Sequence, residues 1–206
     1  TDVVETQIDA DAGANDDDGD SDIDMYCFSA TDCKVVFTSS IDANPDLVFR
    51  DCDDADCSTG TSTVLDADIG GASDQAGASV YCVSGTNCKV AYGDDMDTTT
   101  PALEVIDCGD DECSSPSVSA EIDTDLGSSS SVLHTAIDCV GGDTDCKVIY
   151  NDFGISDVFF IDCADANCNT SEVVTQMDSN AGSTPTLDLS CVATDNCKMV
   201  FHDNSG

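Results

Sequence analysis

A chain of 206 residues carries 43 acidic against 5 basic side chains, a formal charge of −38. That balance excludes nucleic acid as a partner, because phosphates need a basic surface, and it disfavours anionic membrane surfaces for the same reason. No apolar run approaches the roughly 20 residues of a membrane span, so the acidity points either to divalent cations or to a solvated surface suited to a salty medium.

The chain opens at Thr1 with no Met and no leader-like stretch, and is read as a processed or ordered segment. Asp2-Val-Val-Glu-Thr-Gln-Ile-Asp9 is the first strand-like run; it matches Glu172-Val-Val-Thr-Gln-Met-Asp178 much later in the chain. Its start, Thr1-Asp2-Val3-Val4, also resembles Ser156-Asp157-Val158-Phe159, so two strand positions remain open for it. It ends in Asp9-Ala-Asp11-Ala-Gly13, and an acidic run from Asn15 to Asp24 follows.

From there a unit of four strand-like runs recurs. The first run alternates apolar residues up to a cysteine, as in Ile23, Met25, Cys27, then Ala78, Val80, Cys82, and later Leu187, Leu189, Cys191. Period-two alternation is the strand signal. A polar loop leads to a second cysteine, a lysine and an apolar run: Cys33-Lys34-Val-Val-Phe37, Cys88 to Tyr92, Cys146 to Tyr150, Cys197 to Phe201. Successive lysines (Lys34, Lys89, Lys147, Lys198) lie 55, 58 and 51 residues apart. The third run ends in Asp-Cys, at Cys52, Cys108 and Cys163. The fourth follows a four-residue acidic loop and spans Cys57 to Leu65, Cys113 to Ile122 and Cys168 to Met177. Each fourth run closes in an Asp-x-[Asp/Asn]-x-Gly turn: Asp66-x-Asp68, Asp123-x-Asp125, Asp178-x-Asn180. Asp, Asn and Gly suit such turns because they bond their own backbone or accept positive φ. No helix signal of useful length is present. The predicted units run approximately over 1–26 (partial), 27–81, 82–138, 139–190 and 191–206 (partial), within one repeat domain.

Fourteen cysteines in a chain with two histidines argue for disulfides rather than zinc. Zinc prefers Cys-x-x-Cys knuckles, and the spacings here are longer. Disulfides in turn imply an oxidising, extracellular or cell-surface setting. In an up-and-down meander both loops of a unit lie at one end, which predicts the local pairs Cys27–Cys33, Cys52–Cys57, Cys82–Cys88, Cys108–Cys113, Cys139–Cys146, Cys163–Cys168 and Cys191–Cys197. A Cys33–Cys52 alternative joins neighbouring strands; the last unit argues against it, since Cys191 and Cys197 have no second pair to exchange with. Each small loop contributes roughly 2 kcal/mol in the chain-entropy model.

A repeated four-stranded meander of about fifty residues is the β-propeller blade pattern. Through Cys-Lys-[Val/Met]-x-[Phe/Tyr] and Asp-Cys-x4-Cys, the whole chain resembles the disulfide-bearing propeller-like repeats of secreted bacterial surface proteins. The resemblance implies an all-β, disulfide-stapled fold of about four blades and says little about activity. There is no Trp and no Asp-box, so WD and sialidase propellers are not matched.

The lysines and the Asp before each third-run cysteine are predicted to stand at one level on neighbouring strands: Lys34 with Asp51, Lys89 with Asp107, Lys147 with Asp162. Such a recurrence reads as structural ion pairs. A Schiff-base lysine would be singular. The Asp-x-[Asp/Asn]-x-Gly turns (Asp9, Asp11, Asp66, Asp68, Asp123, Asp125, Asp178, Asn180) are the candidate calcium ligands. Calcium takes six to eight oxygens, so neighbouring loops would have to contribute, and the competing reading is that these residues only make the turn. Asn169-Thr-Ser171 is a glycosylation sequon. No hydrolase elbow, zinc helix or phosphate loop is present, and no cofactor is required.

The expected function is a non-catalytic extracellular structural repeat, a scaffold or assembly subunit, with an adhesion or glycan-binding propeller as the alternative. The last unit stops after its second strand, and the strand Thr1 to Asp9 is expected to complete it. Within one chain that closes a ring; between chains it makes a head-to-tail filament with the protein as its own partner.

Overall fold

A computed structural model describes residues 23–39, 46–67, 69, 77–94, 102–118, 122–123, 134–152, 155–169, 171–179, 181 and 186–202. Among them the chain is all-β, without a helix. The first sheet runs β1 (Ile23–Ser29), β2 (Asp32–Ser39), β3 (Asp46–Cys52), β4 (Gly60–Asp66) in sequence order. The second is β5 (Ala78–Ser84), β6 (Asn87–Asp94), β7 (Ala102–Asp107), β8 (Ser117–Val118), and the third β9 (Thr135–Cys139), β10 (Cys146–Asp152), β11 (Asp157–Cys163), β12 (Ser171–Asp178). The fourth has two strands, β13 (Leu187–Ala193) and β14 (Asn196–Phe201). Every neighbouring pair is antiparallel. The segment Asp2–Asp9, expected as a completing strand, lies outside the described residues.

The fourth strand of the second sheet starts later than expected. Cys113 to Ile122 reads as one strand, yet Cys113 to Pro116 lie outside the ladder, and among the described residues β8 pairs with β7 at Ser117 and Val118. Pro116, immediately before it, has no N–H to give a ladder. The chain meets β7 again further on, where Ile122 N donates to Leu103 O (2.9 Å) and Leu103 N to Asp123 O (3.0 Å).

Because successive side chains leave a strand on opposite sides, each second strand sends its cysteine and the residues two and four beyond it to one face. Its lysine and the residue two beyond go to the other. These are the cysteine face and the lysine face of a sheet. The core is a series of junctions between them. Val36 and Phe49 on the lysine face of the first sheet pack on Val80, Val90, Tyr92 and Ile106 on the cysteine face of the second. Ala91 and Val105 on the lysine face of the second pack on Ile137, Val148, Tyr150 and Ile161 of the third. Ile149, Ala136 and Phe160 on the lysine face of the third pack on Leu187, Leu189, Met199 and Phe201 of the fourth. A strand covered on both faces must be apolar nearly throughout, and β10, in the middle of the series, is buried along its whole length.

The first strands lead this stacking: β1 packs on β5, β5 on β9 and β9 on β13. Ile23 and Asp24, Ala78 and Ser79, Thr135 and Leu187 line one cavity of about 190 Å³ among these four strands. Among the described residues two faces end the series. The cysteine face of the first sheet has its own small cluster, Val35, Phe37, Val48 and Cys52, with Ile23 and Met25 of β1 exposed beside it. The lysine face of the fourth sheet exposes Val200.

Candidate functional site

The charged groups that recur from sheet to sheet gather at the junctions. Lys34, Lys89 and Lys147 are 4%, 0% and 2% exposed. Register puts each directly opposite a third-strand aspartate, Asp51, Asp107 and Asp162, and each ammonium bonds that carboxylate. Lys34 has a second partner in Asp32 at 3.0 Å, and Lys147 a second in Asp145. Burial alone would lower the Lys34 and Lys147 pKa values; the carboxylate hydrogen bonds outweigh it and hold both above the ordinary value. A nucleophilic or general-base lysine needs the opposite shift. These two stay cations, and their chemistry is that of a joint. Lys198, on the open face of the fourth sheet, is exposed.

Beside Lys34 the first junction holds a cavity of about 310 Å³, lined among others by Thr31, Asp32, Asp51, Gly85 and Asp111. Gly85 brings the β5–β6 turn close to the first sheet, where an added Cβ would lie 3.2 Å from Asp32 Oδ2.

Seven disulfides form: Cys27–Cys33, Cys52–Cys57, Cys82–Cys88, Cys108–Cys113, Cys139–Cys146, Cys163–Cys168 and Cys191–Cys197. The four between first and second strands link residues directly opposite in register, with Cα atoms 3.9–4.0 Å apart. Cys33 and Cys52 are also opposite one another in β2 and β3, yet each bonds within its own hairpin loop.

The loops between third and fourth strands carry a device not anticipated from the sequence. Cys57, Cys113 and Cys168 all take positive φ, 53°, 50° and 53°. Each N–H donates to the carbonyl three residues back, Asp54, Asp110 or Asp165. The same aspartates hold the chain beyond the cysteine. Asp54 accepts from Ser58 N (2.7 Å) and Thr59 N (3.1 Å), Asp110 from Ser114 N (2.7 Å), Asp165 from Asn169 N (2.9 Å). Bonds from the Ser58 and Thr59 hydroxyls hold the Asp54 pKa down at about 2, and those from Ser114 lower Asp110. A non-glycine residue in this backbone region is uncommon and persists where its surroundings fix it. The signal was present as Cys-x-Asp-x-x-Cys in all three loops. These loops also reach the preceding sheet: Thr63 Oγ1 on β4 donates to Glu112 O (2.7 Å), and Asn167 Nδ2 donates to Ser117 Oγ on β8 (2.6 Å).

Of the turn residues proposed for calcium, Asp66, Asp123 and Asp178 are described; Asp9, Asp11, Asp68, Asp125 and Asn180 lie outside the described residues. Asp66 accepts from the Tyr92 hydroxyl (2.8 Å) and Asp123 from the Tyr150 hydroxyl (2.7 Å). Each turn is thereby tied to the second strand of the following sheet. Burial, aided by the Glu104 and Asp66 carboxylates for Tyr92 and by Asp123 for Tyr150, raises both phenol pKa values. Among the described residues no group of three or more His, Cys, Asp or Glu side chains is placed to hold a metal. Asn169 is exposed in its loop.

Two further carboxylates cross between first strands. Asp24 Oδ2 accepts from Val80 N (2.8 Å), and Asp138 Oδ2 from Cys191 N (2.7 Å). Burial raises the Asp138 pKa, against the lowering effect of that N–H. In the middle junction hydroxyls do the equivalent work, Ser79 with Thr135 at 3.0 Å. Comparison with protein-family models, with curated proteins and with solved structures gives no match. The described chain is a disulfide-rich β repeat, its fourteen cysteines suit an oxidising extracellular environment, and no described helix is long and apolar enough to cross a membrane.

Proposed function

We propose that this chain is a non-catalytic, extracellular structural repeat protein: a β-propeller-like series of about four disulfide-stapled meanders that serves as an assembly subunit, in the manner of the propeller-like repeats of secreted bacterial surface proteins. The observation that carries this reading is where the recurring polar groups are spent. The lysine–aspartate pairs, the Cys-x-Asp loops, the tyrosine–aspartate bonds and the cross-strand carboxylates each join strand to strand or sheet to sheet. A shared cavity among four first strands supports an arrangement of sheets about an axis.

Assembly is favoured by the fourth sheet. Among the described residues β14 pairs only with β13, whereas β2, β6 and β10 pair on both edges. An open edge offers backbone groups to an incoming strand, and Thr1–Asp9 has the pattern to supply it from a neighbouring chain. Electron microscopy and light scattering of the oxidised protein test this at high salt, where self-repulsion is screened. Filaments or large particles that vanish on deletion of Thr1–Asp9 are expected. A monomer at every concentration, with a melting temperature that the deletion leaves unchanged, would overturn the reading.

A further inference from the structure

Two carboxyl groups meet at one phenol inside the first junction. Tyr92 Oη lies 2.8 Å from Asp66 Oδ2 and 2.7 Å from Glu104 Oε2. Tyr92 is 0% exposed, on the cysteine face of the second sheet, and Glu104 stands directly opposite it in register on β7. Asp66 comes from the end of β4 in the first sheet. In a chain whose acid is almost all aspartate, the longer glutamate side chain brings its carboxyl to the hydroxyl end of the ring opposite. The third sheet supplies the contrast. Tyr150 there bonds Asp123 at 2.7 Å, and the position of Glu104 is held by Phe159, whose ring stacks on the tyrosine.

The protons do not add up for two ionised carboxylates. A phenol has one O–H to donate, and an ionised carboxylate only accepts. One of the two contacts would then have no hydrogen between its oxygens, and two like charges would stand side by side. From this count we infer that the Asp66–Tyr92–Glu104 cluster takes up a proton as the first and second sheets come together, so that acidity tightens that joint. Tyr92 donates to Asp66, and a protonated Glu104 donates from Oε2 to Tyr92 Oη. The two carboxyls titrate as a pair, with the proton drawn to glutamate by its higher ordinary affinity for it. Burial and both carboxylates raise the Tyr92 pKa, so the phenol keeps its own proton. The elements packed here add carboxylates rather than cations: Asp46 on β3, Asp94 on β6 and Asp123 beside Ile122. Lys34 of β2 is engaged with Asp51, Lys89 of β6 with Asp107, and Arg50 of β3 with Ser62 and the Cys57 carbonyl. The inference holds whether or not the chain assembles.

A carboxyl that keeps its proton in the fold, while the unfolded chain gives it up above about pH 4.3, stabilises fully below that pH. The contribution is lost as pH rises through the point where the folded pair lets the proton go. The test follows urea unfolding of full-length oxidised protein from about pH 4.5 to pH 8 in about 1 M salt, where general self-repulsion is screened. Glu104→Gln keeps a donor toward the phenol and cannot titrate. Relative to wild type, its unfolding constant is expected to fall about tenfold across that range for each pH unit over which the pair holds its proton. Asp123→Asn, from a phenol with no glutamate opposite, is expected to keep the wild-type slope. Infrared titration of the folded proteins reads the proton directly. One protonated-carboxyl band is expected to outlast the other acids as pH rises in wild type, to be absent in Glu104→Gln, and to titrate at lower pH in Asp66→Asn. Parallel pH profiles for wild type and Glu104→Gln, or no such band, would overturn the inference. A wild-type profile that is flat in calcium and sloped in chelator would put a metal ion between the carboxylates, and that too would overturn it.

Discussion

The junction between the third and fourth sheets and the open face beyond it are written in nearly the same residues and end in opposite states. Ile149 and Val200 occupy one position of the repeat, as do Lys147 and Lys198; the first of each pair is enclosed and the second faces solvent. The local sequence cannot be the cause, because both strands read Cys-Lys-apolar-apolar-aromatic. The cause is the neighbour. A repeat unit of this kind cannot bury both faces alone, so its stability is partly a property of the sheet that follows it. The difference between equivalent positions thus measures what a junction contributes.

Truncation at the paired positions is the strongest way to break the comparison. Ile149→Ala removes fully buried methylenes and leaves a space that β10, packed on both faces, is poorly able to close; it is expected to cost about 3 kcal/mol. Val200→Ala, at the exposed counterpart, is expected to stay within about 0.5 kcal/mol in the monomer. Guanidinium unfolding of the oxidised protein, followed by tyrosine fluorescence, reads both. Equal losses would mean that the fourth sheet is covered in solution by some other part of the chain.

The lysines sharpen it on a smaller scale. Lys89→Met leaves the Asp107 carboxylate without its cation at a junction, and is expected to cost about 2 kcal/mol. That lies below the figure for a wholly enclosed pair, because the Asp107 side chain is 25% exposed. Lys198→Met should change monomer stability by less than about 0.5 kcal/mol. Comparable costs at both sites would show that the ion pair and not the junction sets the value.

How much of this was legible in the sequence follows the same division between what a sheet does alone and what its neighbours do to it. Period-two alternation and the spacing of Cys-Lys and Asp-Cys carry the strand order, because a meander pairs residues that lie near one another in the chain. The level match of Lys34 with Asp51 needs only that β2 and β3 be antiparallel. Which face of a sheet meets which was not legible. Met25, Val80 and Leu189 alternate identically, and only the presence of a preceding sheet separates exposure from burial. The Cys-x-Asp loop was missed for another reason: its aspartate acts through Ser58, Ser114 and Asn169 beyond the second cysteine, a link across the disulfide that spacing alone does not suggest. In the turns, the carboxylates of Asp66 and Asp123 suggest calcium by sequence alone, but each accepts from a tyrosine hydroxyl on the second strand of the following sheet.

Those tyrosines give the finest comparison, between Tyr150 on the cysteine face of the third sheet and Phe201 at the same position of the fourth. The repeat already accepts a ring without a hydroxyl there, so Tyr150→Phe keeps the packing and removes only the bond to Asp123; about 1 kcal/mol is expected at neutral pH. The sign of the pH effect follows from the raised phenol pKa. A tyrosine neutral in the fold and ionised in the unfolded chain binds more protons folded than unfolded above the unfolded value of about 10, so stability falls as pH rises through that point. Lys34 and Lys147, with raised folded values, add a loss in the same direction above 10.5. Removing one buried phenol should therefore flatten, without abolishing, the decline of unfolding free energy between about pH 10 and pH 11. Tyr81, Tyr92 and the two lysines supply the remainder. Brief guanidinium titrations across that range, on wild type and Tyr150→Phe, measure the two slopes. Identical slopes would mean that the Tyr150 hydroxyl ionises in the folded protein as readily as in the unfolded one, and that the Asp123 turn is not tied to β10.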